Sequence, residues 1–263
     1  MIKAIYKELF ILLVVFGCIW IAFIYIPFKP KPPESALSLE NEQKIGDLLI
    51  EAYLESKTLI SDSIVNVSID KIYKRLITEI DSSEYDYKIY VIKDDNINAF
   101  AALGGNIVVF SGLIEYAETP EELAAVLAHE IGHVEQRHVV NKVVKELGIT
   151  LILSVLSGGD PGFINEIIQQ SLSTVFDRKQ ESDADDFALL LLEKSSIHPN
   201  SLAAIFTKIR DKYASSTFES LEFLSTHPNT NKRIKKSLNY KTATDFSSKP
   251  FDDINWQLVR EGV

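Results

Sequence analysis

"LAAVLAHEIGHVEQRH", Leu123 to His138, decides how the rest of the chain is read. It sets His129, Glu130, His133, Glu135, Arg137 and His138 among alanine, leucine, isoleucine and valine. On an α-helix, residues four apart are separated by about 40° of rotation, so His129 and His133 leave the same face and reach one point. Glu130 lies about 100° round from His129, which sets its carboxylate beside that point rather than on it. This is the HExxH arrangement: two neutral imidazoles hold Zn²⁺, and the glutamate takes a proton from the attacking water. The competing reading is a helix with a solvated His/Glu face. Ala124, Ala125, Val126, Leu127, Ala128, Ile131 and Val134 nearly surround the histidines, and charges sunk in such a helix need a partner. Gly132 leaves room for another backbone to approach. His138 lies about 180° from His129 on a continuous helix, so it is expected on the far side, in a structural role.

Upstream, Thr119-Pro120-Glu121-Glu122 reads as the start of this helix, with Thr119 as the cap, Pro120 at the first helical position and Glu122 completing a capping box. The helix is expected to run to Leu147, where Gly148 ends it. Earlier, helical spacing begins at Ser38, and a second helix is expected over Ile69 to Ile80. Tyr85 to Lys93, "YDYKIYVIK", reads as a strand, and Ile107 to Phe110 as another after the turn at Gly104-Gly105. Downstream, Ser157 to Gly162 is a loop, and helical segments are expected over Phe163 to Leu192 and Ser201 to Ala214. His198-Pro199-Asn200 reads as a plain helix start, and Trp256 as a docking residue in a polar C-terminal stretch.

The chain has 263 residues, is 46% hydrophobic and carries a formal net charge of -10. That is enough for a sizeable core, and the acidic balance argues against nucleic acid as a partner. A single cysteine, Cys18, excludes an intrachain disulfide. Leu9 to Ile26 is uncharged and long enough to span a bilayer, with Lys3 and Lys7 before it and Lys29 and Lys31 after it. "PFKPKPPES", Pro27 to Ser35, reads as a stiff spacer. The expected organisation is an anchor over residues 1–28, a linker over 29–37 and one domain over 38–263. The bulk of the chain is expected outside the cytoplasm; a lipoprotein acylated at Cys18 is the alternative.

The remaining metal ligand should be a histidine or carboxylate on a second helix. In "FDRKQESDADDFALLLL", Glu181 and Asp185 share a face, and Ala184 permits close helix packing. With Glu181 on the metal, Asp185 is placed to accept the free ring N–H of a ligand histidine. Spacing leaves Glu166 and Asp177 open as alternatives.

These motifs together resemble the membrane-associated zinc metallopeptidases of the HtpX and CaaX prenyl protease family, peptidase family M48. "HEIGH" and "ESDAD" resemble its HExxH and downstream ExxAD pair in a gluzincin arrangement. "NAFAALGGNIVVFSGLI", Asn98 to Ile114, is similar to its strand–turn–strand, and "STHPNTNKR", Ser225 to Arg233, to its HPxxxxR block. Leu103 stands where the family often has proline, and one apolar run in place of several resembles the single-anchor relatives. The resemblance implies a zincin-like α+β domain, mainly helical, with a small sheet. It implies Glu181 as third zinc ligand and His227 as a catalytic residue, donating to the oxyanion or capping the metal. Arg233 would orient that loop or the substrate. Asn98, Ala99, Phe100, Gly104 and Gly105, or the strand Ile107 to Phe110, would pair with an extended polypeptide. The expected activity is hydrolysis of peptide bonds in unfolded or misassembled envelope proteins. The alternative is a non-proteolytic or latent zinc-containing adaptor.

Overall fold

The computed structural model describes residues 37–81, 83–158, 160–172, 175–215, 227 and 230–263. The run Leu9 to Ile26, Cys18 and the proline-rich spacer lie outside the described residues, and with them the expected anchor. Among the described residues no helix is long and apolar enough to cross a membrane. The domain is mainly helical with a three-stranded sheet.

Helix α1 (Leu39–Leu54) starts where Ser38 caps it, its hydroxyl accepting the Asn41 N–H. Helix α2 (Ser63–Ile77) begins six residues before its expected start. Asp62 draws it upstream by accepting the N–H groups of Ile64 and Val65. Strand β1 (Lys88–Ile92) pairs in parallel with β3 (Asn106–Phe110), and β2 (Ala99–Ala101) pairs antiparallel on the other side of β3. The order β1-β3-β2 makes β3 central and buried throughout, so Ile107 to Phe110 has no free edge for a substrate. Gly104 and Gly105 lie off the edge strand, in the turn between β2 and β3, at φ of 76° and 82°. A Cβ on Gly46 would stand 2.1 Å from the Leu103 carbonyl oxygen, so glycine there lets α1 press directly on this turn.

After the short α3 (Ser111–Tyr116), helix α4 (Pro120–Glu135) runs through the middle of the domain. Every residue from Glu122 to Val134 is buried, which excludes a solvated His/Glu face. It packs on β2, on α2, on α8 (Arg178–Lys194) and on α9 (Asn200–Ser215). Leu123, Leu127 and Ile131 are fully buried, each contributing about 1.5–3 kcal/mol. Thr119 caps the helix as expected, but Glu122 does not close a capping box: its carboxylate accepts the Glu118 N–H at 2.7 Å and pairs with Lys208 of α9 at 2.9 Å.

The helix also stops twelve residues short of Leu147. Arg137 adopts left-handed backbone at φ 54°, and a separate helix α5 (His138–Leu147) follows. The arginine is held there by the N-terminal end of α1: its guanidinium donates to the Leu37 carbonyl at 2.8 Å and pairs with buried Glu42 at 2.8 Å. Beyond α5 come α6 (Ile149–Ser154) and α7 (Pro161–Leu172). The expected continuous helix over Phe163 to Leu192 is two, because Asp177 and Gln180 form a capping box that starts α8 afresh. His198 is a helix-start residue, its Nδ1 accepting the Asn200 N–H. Helices α10 (Thr230–Leu238) and α11 (Trp256–Glu261) close the chain, with Trp256 docked by its indole N–H on the Ala117 carbonyl.

Candidate metal centre

Helices α4 and α8 cross at two small residues. A Cβ on Gly132 would meet the Ala184 carbonyl oxygen at 2.9 Å. This contact sets the spacing between the helices and brings Glu181 opposite the two histidines. The Nε2 atoms of His129 and His133 are 3.1 Å apart. Glu181 Oε1 stands 3.4 Å from His133 Nε2, and its Oε2 3.7 Å from His129 Nε2. His227 enters the same space, its Nδ1 3.4 Å from His129 Nε2 and 3.0 Å from Glu181 Oε1. The four buried donors all lie within 4.8 Å of one another. Bonds of about 2.0–2.1 Å around tetrahedral zinc put ligand atoms about 3.3 Å apart, so this donor set fits zinc in size and chemistry.

Charge agrees with size. Glu130, Glu181 and Asp185 are buried carboxylates served by one buried guanidinium, Arg233. Among the described residues, with His129 and His133 neutral, these three carboxylates exceed the guanidinium by two formal negative charges, which a divalent cation offsets. Burial, then the Arg233 charge, holds His129 neutral by pushing its pKa down to about 4. Burial likewise drives His133 well below its ordinary value. For Glu181, burial works upward, but His227 and Arg233 outweigh it and hold the carboxyl far below the usual range. Asp185 is held below the carboxylate range in the same way, burial being outweighed by Arg233 and then by His129. All of these favour the protonation states a metal requires.

Glu130 is different. Burial raises its pKa to about 7. Its Oε2 accepts the Ala101 N–H of β2 at 2.9 Å, while Oε1 has no hydrogen-bond partner among the described residues and lies 3.6 Å from His227 Nε2. One oxygen is therefore fixed to the edge strand, and the other faces the ligand cluster.

Around the donors, Asp185 Oδ1 stands 3.2 Å from His129 Nδ1, the place expected for a tautomer-fixing carboxylate. Arg233 is turned to the protein's own acids rather than to a substrate. Its Nε and Nη2 donate to Asp185 at 2.8–3.1 Å and its Nη1 lies 2.7 Å from Glu181 Oε2, with the guanidinium 4.2 Å from the centre of the Phe206 ring. Asp177 and Glu166, left open by spacing, fall away: the first caps α8 and the second is exposed on α7. Asn98 and Ala99 are buried at the start of β2, with Phe100 half-buried.

Two neighbours of His133 were not foreseen. The helix break at Arg137 swings His138 back, and its Nδ1 lies 3.1 Å from His133 Nδ1 instead of on the far side of a long helix. Phe176 stacks on the His133 ring, centroids 3.8 Å apart.

A model of Peptidase family M48 matches residues 63–241. The chain is 30% identical over 221 residues to the beta-barrel assembly-enhancing protease of Yersinia pestis, covering 78% of this chain and 45% of that protein. It is 28% identical to the mitochondrial metalloendopeptidase OMA1 of Schizosaccharomyces pombe, over 81% of this chain and 64% of that one. It is 35% identical to the metalloprotease LoiP of Escherichia coli over 138 residues. The chain thus spans less than half the length of its beta-barrel assembly-enhancing relatives. With a family match over more than half of its length, the chain belongs to peptidase family M48.

Proposed function

We propose that this protein is a zinc-dependent metalloendopeptidase in which His129, His133 and Glu181 hold the ion and Glu130 is the general base. The observation that carries this reading is the convergence of two Nε2 atoms and one carboxylate beside a second carboxylate that is tied down at one oxygen only. When bound, zinc supplies Lewis-acid polarisation of a peptide carbonyl and brings the pKa of water down to about 7. The free Oε1 of Glu130 takes the proton of the attacking water and delivers it to the leaving amine. Asp185 and Arg233 keep His129 and Glu181 in place. Edge strand β2 supplies backbone groups for an extended substrate: Ala99 presents its N–H and carbonyl away from β3, and Ala101 its carbonyl, the Ala101 N–H being held by Glu130. Pairing of that kind selects unfolded or flexible segments. Together with the names of the relatives, it supports turnover of misassembled envelope proteins by a domain anchored through Leu9 to Ile26 and held outside the cytoplasm.

His227 supports a second state of the same site. His129, His133, Glu181 and His227 together would hold the ion with four protein donors and would leave the attacking water without a position on it. The arrangement is then latent, and hydrolysis requires His227 to withdraw and leave its Nε2 for the developing oxyanion.

The test is cleavage of unfolded casein by the full-length protein. Glu130→Gln should lose about 10²–10⁴-fold in rate while keeping its zinc, and His227→Phe should not lose zinc. Casein cleavage by Glu130→Gln at the wild-type rate contradicts the assignment of the base.

A further inference from the structure

His133 has a support that neither the HExxH spacing nor the second-helix motif assigns. For Nε2 of an imidazole to hold a metal, that nitrogen must present its lone pair, and the ring proton must sit on Nδ1. Such a proton is buried here and needs an acceptor. For His129 the acceptor is the Asp185 carboxylate. For His133 the group opposite Nδ1 is another ring nitrogen, Nδ1 of His138, at 3.1 Å.

We propose that His138 is the positioning residue for His133: it accepts the His133 Nδ1–H and so fixes the tautomer and direction that turn Nε2 toward the metal. This rests on the metal-centre reading above. Three observations carry it besides the distance. His138 is only 6% exposed, so its polar ring is committed to the interior. The contact exists because the chain leaves the helix at Arg137, a left-handed arginine. Such a conformation is strained for a residue with a Cβ and persists only where surrounding contacts enforce it. Glu42 and the Leu37 carbonyl provide those contacts. A continuous helix would carry His138 about half a turn away from the metal ligands. Finally, Phe176 lies flat on His133, with an interplanar angle of 23°, so the ring plane is set by stacking and the remaining freedom is the choice of tautomer and tilt. His138 supplies that choice. It has one nitrogen bare only while neutral, so its own proton sits on Nε2.

The experiment measures the zinc dissociation constant of the full-length chain by competition with a chelator, for wild type, His138→Leu and His138→Asn. Leucine keeps the bulk and removes the acceptor; asparagine places Oδ1 where Nδ1 stood. The leucine variant should bind zinc about 10–100-fold more weakly, and the asparagine variant should stay close to wild type. Because the leucine variant can fail to fold, ¹⁵N NMR of the zinc-loaded wild type gives a second readout: His133 Nδ1 protonated, with coupling across the hydrogen bond to His138 Nδ1. Leucine binding zinc as tightly as wild type, asparagine as weak as leucine, or a bare His133 Nδ1 would each overturn the assignment. A wild-type chain that binds no zinc overturns the metal centre itself, which keeps the two failures apart.

Discussion

His129 and His133 stand one turn apart on the same helix, yet the protein holds them in opposite ways. His129 is backed by charge: Asp185 touches its Nδ1, and Arg233 ties Asp185 and Glu181 together from a helix far along the chain. His133 is backed by neutral rings, His138 at its Nδ1 and Phe176 on its face. The first support is assembled only when α8 docks on α4 and α10 packs on α8 and α9. The second is made by a break four residues beyond His133 and by Phe176 in the segment leading into α8. A charged support binds the ligand set tightly but leaves buried acids exposed to any loss of their partner. A neutral support costs little electrostatically and fixes direction rather than charge.

The contrast can be broken first at Arg233. Arg233→Met leaves Glu181 and Asp185 buried without a cation, and the zinc-free protein should lose about 3–5 kcal/mol in denaturant melts. The zinc-loaded protein should lose less, because the ion replaces part of the missing charge; equal losses would mean that the guanidinium does not serve the ligand carboxylate. Next, Asp185→Asn keeps the shape at His129 and removes the charge, so zinc affinity should fall about 10–100-fold in chelator competition. A smaller effect is expected where the charged half is docked. Gly132→Ala pushes a methyl against the Ala184 carbonyl, and the thermal melt should report about 1–3 kcal/mol of destabilisation, with zinc affinity reduced as α8 moves off. On the neutral side, Phe176→Leu removes the stack on His133 and should cost only about 0.5–1.5 kcal/mol. A large loss there would show that the ring, rather than His138, directs the ligand.

The charged half was legible in the sequence and the neutral half was not, for physical reasons. HExxH and the Glu181–Asp185 pair are patterns of helical period, and a period survives in one dimension. What the period could not decide was which helix docks on α4. Gly132 and Ala184 decide it, as the two small residues at the crossing. His138 was misplaced because the break before it carries no glycine or proline. A left-handed arginine is a tertiary outcome, set by Glu42 and Leu37 from the other end of the domain. The early start of α2 and the fresh start of α8 were both written as aspartate caps, Asp62 and Asp177, beneath a stronger hydrophobic pattern that ran past them. The sheet order was hidden for another reason: β3 reads as a strand, but no local feature says that it lies between two others.

The most direct measurement is the zinc content of the purified full-length chain beside Glu181→Ala and Glu166→Ala. Spacing left Glu166 open as an alternative to Glu181, and the docking of α8 on α4 separates them. A single zinc in wild type and in Glu166→Ala, lost from Glu181→Ala, is the predicted result. Zinc retained at full occupancy in Glu181→Ala would contradict the metal centre described for this domain.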